Sequence, residues 1–483
     1  MRRSTIKMQN LEMAASDSSL PRQAVPRSAA FANPFDVSHA YRVTMGLALA
    51  MAVLPGLGTG LFLVMIAGLG LPMFAAWPEL AQAHGQIQAL GFVDLFIIAV
   101  ALQLFPRFLA TPLEHSERVV WSAWLLAAAL VLRLLGQPLQ PGALRSVVLV
   151  GSSVGLPLGL FVAGSAFHTL RRGSIQPSSG PSAAWRRFVG VGGVALGAVI
   201  GLWIWSNLSL ATGDAVVGAA RDEALIHLEL AGFATSIVFA VASRIFGRFL
   251  LLRGRLGLDS YLPALAVGWS VGLALTAGGW LLGDFGGVWV RWAGSSVELI
   301  VVLIWMWLIG LYGRPTRASG TPYVTGPTRR WVRLAFGFLL LGLVLDWVLY
   351  GREAMNGTVP TFVQLSAARH AIAQGFLLPL MVSMAARLLP VLSADVLKHR
   401  VRLEWTIDLL LVGALLRVMA EFIGGYAGLS GNVVALGGAI SVIAFYLFAA
   451  QLWSSLGRLP RPAALLTGET HGAFPDRAGG SSR

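Results

Sequence analysis

The sequence predicts an all-α polytopic membrane protein, and three observations lead to that class. Apolar residues make up 56% of the 483 residues and charged residues only 12%, which is too little polar surface for a soluble fold. The apolar residues form segments of about 20 residues or more, the length that crosses a bilayer. A motif that places a histidine at the start of such a segment occurs three times. Because no other stretch is long enough for a soluble domain, we expect the function to lie within the helices.

Twelve spans follow when the chain is read in order. The glycine-rich first span contains Pro55, so we expect it to be long, tilted or broken there. Polar segments at 1–40 and 458–483 are predicted to be disordered cytoplasmic tails around a membrane domain at 41–457. The predicted spans lie near 43–72, 85–106, 119–137, 146–170, 187–208, 224–246, 261–283, 294–312, 332–350, 366–390, 405–425 and 432–455.

The histidine motif indicates an internal triplication. His84, His227 and His370 are separated by 143 and 143 residues, and the Gly-Phe pairs that follow them by 141 and 143. A fixed period of this kind is the signature of repeated architecture. We therefore expect three four-helix repeats in a pseudo-threefold arrangement, at about 41–172, 185–313 and 331–457.

Basic residues fix the predicted orientation. The formal net charge is +14, but arginine and lysine gather in the N-terminal segment and in every second loop, as the positive-inside rule requires. This pattern predicts a bilayer protein and no nucleic-acid partner. Both termini are then cytoplasmic, and the three motif histidines lie toward the outer face.

Histidine is the strongest candidate ligand in this chain, which has no cysteine. The motif histidines open the second, sixth and tenth predicted spans, and imidazole suits haem iron, copper and zinc. The alternative is that the headgroup region tolerates histidine and the repeats inherited an inert residue. Because intramembrane ionisable residues are usually functional, we favour a cofactor or metal role for His84, His227 and His370.

One irregularity breaks the symmetry of the motif. His227 and His370 stand five residues before their glycine, whereas His84 stands seven before Gly91, and Gln86 occupies the equivalent place. Two residues turn a helical side chain by about 200°. His84 therefore need not face the same way as the other two, which favours two sites over one three-histidine site.

Two carboxylates inside the predicted spans are further candidates. Glu229 follows His227 by two residues, so it would either orient a ligand histidine or carry protons. Asp94 lies ten residues into the second span and would feed protons from mid-membrane. Neutralising pairs with buried arginines explain such carboxylates equally well.

The motif residues resemble those of two families. Ala83-His84-Gly85 at the start of the second helix looks like the haem-ligand helix of haem-copper oxidase catalytic subunits, which are twelve-helix proteins with both termini inside. The stretch from His84 to Phe92, followed by Phe105-Pro106-Arg107, is closer to the NnrS family of bacterial haem- and copper-containing membrane proteins linked to nitric oxide and denitrification. The resemblance covers about residues 40–455. It implies that His84 and His370 are axial haem ligands and that His227 is a copper or second haem ligand.

Departures from the oxidase pattern argue against catalysis. The tenth span has only His370 where oxidases have a His-x-His pair, and Ala231 stands where they have a tyrosine. NnrS-type sequences often begin the motif His-Gly-His, whereas this chain has Gln86. Three outer histidines do not supply the six that two haems and copper need. Reduction of oxygen or nitric oxide by the oxidase mechanism is therefore not expected.

The expectation is a multi-pass protein of the bacterial inner membrane that uses haem, with copper as a second candidate metal, in the response to nitric oxide and nitrosative stress or in denitrification-linked electron transfer. Its predicted partners are the lipid bilayer, a diatomic gas such as nitric oxide and a redox protein. Two alternatives stay open. One is a secondary transporter, since twelve spans with internal repeats are common among carriers, and the other is a cofactor-free scaffold for oxidase assembly or metal delivery.

Overall fold

The computed structural model describes residues 37–172, 183–252, 254, 258–283, 286–314, 322–393 and 400–456. These residues form helices and connecting turns, with no strand among them. The predicted tails lie outside the described residues, apart from the few residues that begin the first helix. The all-helical class is confirmed.

Twelve helices, labelled α1 to α12, are described. Several contain a π-helical segment, and each range includes it. Their bounds are Ser38–Gly68, Trp77–Leu109, Ser116–Gly136, Ala143–Arg172, Arg186–Ala211, Ala219–Phe249, Leu258–Leu281, Gly287–Leu308, Pro322–Asn356, Phe362–Ser393, Arg400–Gly424 and Gly428–Leu456.

Eleven of the described helices are long and apolar enough to cross a membrane. The remaining one is α11, Arg400–Gly424, whose sequence carries six charged side chains. Large apolar side chains point outward on several helices: Phe161 is 73% exposed, Val194 77% and Ile423 76%. Such an apolar outer surface indicates a surrounding bilayer, because soluble proteins rarely expose many large apolar side chains to water. The protein is therefore a multi-pass membrane protein.

Three helices form the centre of the molecule. The membrane-crossing parts of α2, α6 and α10 are about four-fifths buried, whereas those of the other candidate spans range from one third to a little over half buried. Around them, α3 packs on α4, α7 on α8 and α11 on α12 as neighbouring pairs. The three histidine helices thus occupy the interior, as their position in the sequence motif predicts.

Each central helix changes from α- to π-helical geometry just after its histidine. The π segments are Ile87–Asp94, Leu228–Thr235 and Ala371–Leu377, and that of α6 contacts the other two. A fourth π segment, Ala52–Gly58, lies in α1 and contains Pro55. Proline cannot donate the regular helical hydrogen bond, and the helix continues past it in the wider π geometry instead of breaking. Wide turns of this kind are frequent at functional sites.

Candidate functional site

A deep cleft between the central helices holds two of the three motif histidines. His84 of α2 and His370 of α10 both line it, together with residues from α1, α6, α11 and α12. The cleft is open on one side, and its volume is about 170 Å³. Its walls are largely apolar and include Trp77, Phe92 and Phe362.

The His84 ring is fixed against α1. Its Nδ1 lies 2.9 Å from the carbonyl oxygen of Gly56, in the π segment of that helix. A carbonyl only accepts hydrogen bonds, so Nδ1 carries the proton and Nε2 keeps its lone pair. Gly60, one turn further along α1, lies directly against the ring, so that a Cβ at this position would collide with the imidazole.

The His370 ring is fixed against α11 in the same way. Its Nδ1 lies 3.0 Å from Glu421 Oε2 and 3.1 Å from Ser366 Oγ. Glu421 is fully buried, and its other oxygen accepts from Arg417 Nε at 3.0 Å and from the Tyr426 hydroxyl at 3.2 Å. This carboxylate is held ionised by its donors, so it accepts the Nδ1 proton and again leaves the lone pair on Nε2.

His227 lies apart from this cleft. Its neighbours Ile226 and Leu230 line the cleft, but His227 itself does not. Its Nε2 lies 2.9 Å from Glu298 Oε1 on α8, and the same oxygen accepts a hydrogen bond from the Thr276 hydroxyl on α7 at 2.9 Å. The nitrogen that would face a metal is therefore already engaged by a carboxylate.

The displaced spacing predicted that His84 would be the histidine that faces differently, whereas in the structure His227 is the one set apart; the number of ligand sites stays a prediction. His84 and His370 share one cleft, and His227 has a separate environment of its own. Gln86, at the position equivalent to the other histidines, is fully buried and does not line the cleft.

The three predicted auxiliary residues lie in the protein interior. Gln86, Asp94 and Glu229 are at most 2% exposed, and their side-chain polar atoms have no hydrogen-bond partner among the described residues. Glu229 interacts electrostatically with Asp94 and Arg133. It does not bond to His227, so the expected role of orienting that histidine belongs to Glu298.

A buried ion-pair cluster joins α10 to α6 at the rim of the cleft. Arg369 pairs with Glu223 and lies 3.7 Å from Asp222, and Arg369 and Asp222 both line the cleft. Sequence reasoning did not single out this cluster, nor the role of Glu421. The spacing of Arg417 and Glu421, four residues apart on one helix, was the available signal for the latter.

The donor set fits a haem but not a three-histidine copper centre. Two imidazoles with unshared Nε2 lone pairs face one apolar cleft, which is the ligand chemistry of a bis-histidine haem. Arg417 also lines the cleft and supplies positive charge for anionic substituents. Within the described residues, no group of three or more histidine, cysteine, aspartate or glutamate side chains is placed to hold a metal ion.

Comparison with known proteins gives a fold relationship only. No protein-family model matches the chain, and no curated protein sequence matches it. Among solved structures, it is similar to a haem-copper terminal oxidase dimer determined by cryo-EM, with a TM-score of 0.69 and 12% sequence identity. The similarity covers 87% of this chain and 84% of that one. The chain thus has a distant haem-copper-oxidase-like fold.

Proposed function

We propose that this protein binds a haem in the cleft between α2 and α10, with His84 and His370 as the axial ligands. The observation that carries the proposal is that both imidazole rings are hydrogen-bonded through the same nitrogen, Nδ1. Each is held through Nδ1 by an acceptor, Gly56 O or Glu421, and each retains Nε2 for iron. An acceptor that fixes the tautomer and the ring direction of a ligand histidine also raises its basicity.

The proposed role is that of an NnrS-type protein of the bacterial inner membrane, in the response to nitric oxide and nitrosative stress or in denitrification-linked electron transfer. A haem held by His84 and His370 would supply one-electron exchange. Two ligand histidines therefore favour electron transfer with a redox partner, or binding of a diatomic gas, over catalytic turnover.

The proposed architecture behind this role is three four-helix repeats about a pseudo-threefold axis, with both termini in the cytoplasm. Each repeat supplies one histidine helix to the centre. We further propose that Asp94 and Glu229, with Gln86 beside them, take up and pass protons. Unpartnered carboxyls buried this deeply favour the protonated form or bound water over a bare charge.

The resemblance of the motif to the NnrS family also implies a copper ion at His227. Binding would have to break the contact of Nε2 with Glu298, and only one histidine is present. Copper analysis of wild type and His227→Ala tests it directly. A copper content that is equal in the two proteins would remove His227 from the ligand set.

The haem proposal is tested by reduced-minus-oxidised absorption spectra of protein produced with ample haem. Wild type is expected to show a low-spin haem spectrum. His84→Ala and His370→Ala each remove one axial nitrogen, so each is expected to give a high-spin spectrum or lose haem.

His227→Ala is the matched control and is expected to keep the low-spin spectrum, because His227 lies outside the cleft. Wild-type protein without haem under these conditions would overturn the proposal and leave a transporter or a scaffold as the leading candidates. A spectrum that changes equally in all three variants would overturn the assignment of the ligand pair.

A further inference from the structure

A second, apolar cavity lies along the same three central helices. It is lined by α2, α6 and α10, with Tyr41 and Met45 of α1 on one side, and its volume is about 100 Å³. A cavity that holds one buried water needs a volume of only about 10–15 Å³. The cavity is therefore large enough to hold a guest molecule.

The walls of this cavity repeat in layers, with one residue from each central helix. Within every layer the residues are 141 and 143 positions apart, the same offsets that separate the Gly-Phe pairs of the motif. The five layers are Phe96, Ile237 and Leu380; Ile97, Val238 and Met381; Val100, Val241 and Met384; Ala101, Ala242 and Ala385; and Leu104, Ile245 and Leu388. A cavity with this lining surrounds the proposed pseudo-threefold axis.

The alanine layer explains why the space exists. Ala101, Ala242 and Ala385 are 7%, 1% and 8% exposed, so all three are buried at the level where larger side chains would meet on the axis. The layers on either side carry valine, isoleucine, leucine and methionine. Packed interiors normally close such gaps, because each missing methylene forfeits contacts with its neighbours.

The lining chemistry restricts what can bind. Among the described residues, Tyr41 is the only lining residue with a hydroxyl, and none of the lining side chains is charged or carries an amide. A water needs two to four polar partners, which these side chains do not offer, whereas an apolar guest such as xenon needs none. The described lining therefore favours apolar molecules over ions and hydrogen-bonding metabolites.

The cavity also adjoins the histidine cleft. Phe92 lines the cleft and Phe96 the cavity. Their rings are in edge-to-face contact, with centroids 6.0 Å apart. The Phe92–Phe96 contact on α2 therefore links the wall of the cleft to the wall of the cavity.

We propose that this axial cavity is a binding site for a small uncharged apolar molecule of the size of a diatomic gas. The volume of the cavity, its apolar lining and the ring of three alanines support a compact guest. Delivery of that guest to the cleft rests on the proposed haem function, whereas binding in the cavity does not.

The test is xenon binding to crystals of the full-length protein pressurised with xenon, located by anomalous scattering. Wild type is expected to show a xenon peak at the layer of Ala101, Ala242 and Ala385. Ala242→Leu fills the space from one side, so the peak should be lost. The peak should remain in Ala198→Leu, which adds the same bulk at an exposed position of α5.

Because xenon needs no haem, the experiment does not depend on the haem proposal. Ala101→Leu and Ala385→Leu fill the same layer and replace Ala242→Leu if that variant does not fold. Ordered waters or a lipid chain at the alanine layer in wild type, or no xenon there, would overturn the proposal. A peak that persists in the filled variants would overturn it as well.

Discussion

Single hydrogen bonds decide which histidines are available as ligands. In His84 and His370, Nδ1 is hydrogen-bonded to an acceptor and Nε2 is left for a ligand. In His227, Nε2 is hydrogen-bonded to Glu298. The three histidines recur at a spacing of 143 residues. Their chemistry differs because their acceptors come from different helices.

Gly60→Ala is expected to disturb the His84 side of the site. A Cβ at this position would collide with the imidazole ring, and overpacking of this kind costs about 1–3 kcal/mol. We expect a lower haem-to-protein ratio and a lower melting temperature.

Gly197→Ala is the control, because nothing lies within 4 Å of a Cβ at that helical position. Alanine there should leave stability unchanged or raise it by about 1 kcal/mol. Equal behaviour of the two variants would show that Gly60 does not support the ring.

Glu421→Gln is expected to weaken the His370 side while keeping the side-chain volume. The amide lacks the negative charge that orients the ring and pairs with Arg417. Loss of such an outer partner typically costs about 10–100-fold in affinity for the bound group. Haem titration and redox titration check this, and we expect weaker binding and a more positive midpoint potential.

Glu404→Gln is the matched control, because Glu404 lies on the same helix, 17 residues from Glu421. This variant should bind haem as wild type does. Unchanged haem affinity in Glu421→Gln would remove that carboxylate from the ligand support.

The sequence singled out the candidate histidines but not their hydrogen-bond partners. The 143-residue spacing identified His84, His227 and His370 as candidates. Glu298 and Glu421 lie 71 and 51 residues from the histidines they bind, and no local pattern connects residues at such distances. Packing of α8 and α11 against the centre decides which histidine receives a carboxylate on which nitrogen.

At the scale of helices, the π segments and the spacing of the motif set the direction of each histidine. The sequence showed that His84 is displaced by two residues from the equivalent position. A rotation of about 200° would turn His84 away from the direction of His370, yet His84 lies against α1 and lines the same cleft as His370, while Gln86 is buried outside it. The change to π geometry was not predicted, because no residue type specifies a π turn.

Gly279→Ala is expected to separate α7 from α8. A Cβ there would lie 2.7 Å from the backbone nitrogen of Arg291 and 2.7 Å from the carbonyl oxygen of Gly287. Close approach of helices through small residues is a common source of membrane-helix stability. We expect destabilisation by about 1–3 kcal/mol, measured by thermal unfolding in detergent.

The neighbouring Gly278→Ala is the matched control, since nothing lies within 4 Å of its Cβ position. Similar losses in both variants would mean that the effect comes from helix propensity or from the assay and not from the α7–α8 contact.

At the scale of the whole molecule, composition alone predicted the helical membrane class, and the structure confirms it. Each predicted apolar segment also overlaps a described helix, although three helices begin seven to ten residues before their predicted spans, at Trp77, Gly287 and Pro322. Charge distribution predicted the orientation, which stays a prediction. The cleft could not be predicted, because it depends on how six helices pack together.

The predicted orientation can be tested with reporter fusions. Alkaline phosphatase fused after Gly142, between α3 and α4, is expected to be active because this loop faces outward under the positive-inside rule. The same enzyme fused after Arg314, beyond α8, should be inactive, and a fluorescent protein fused there should fold and fluoresce. The reverse pattern would place the histidine cleft on the cytoplasmic side.

The two-residue displacement of His84 bears on how such sites arise. In a chain with three histidines at a fixed spacing, a change of segment length alone can alter which of them share a cleft, without any new histidine being introduced. Insertions and deletions upstream of the Gly-Phe pair can therefore change the arrangement of the histidines in related chains. An alignment that pairs Gln86 with His227 and His370, column by column, would miss the histidine two residues away.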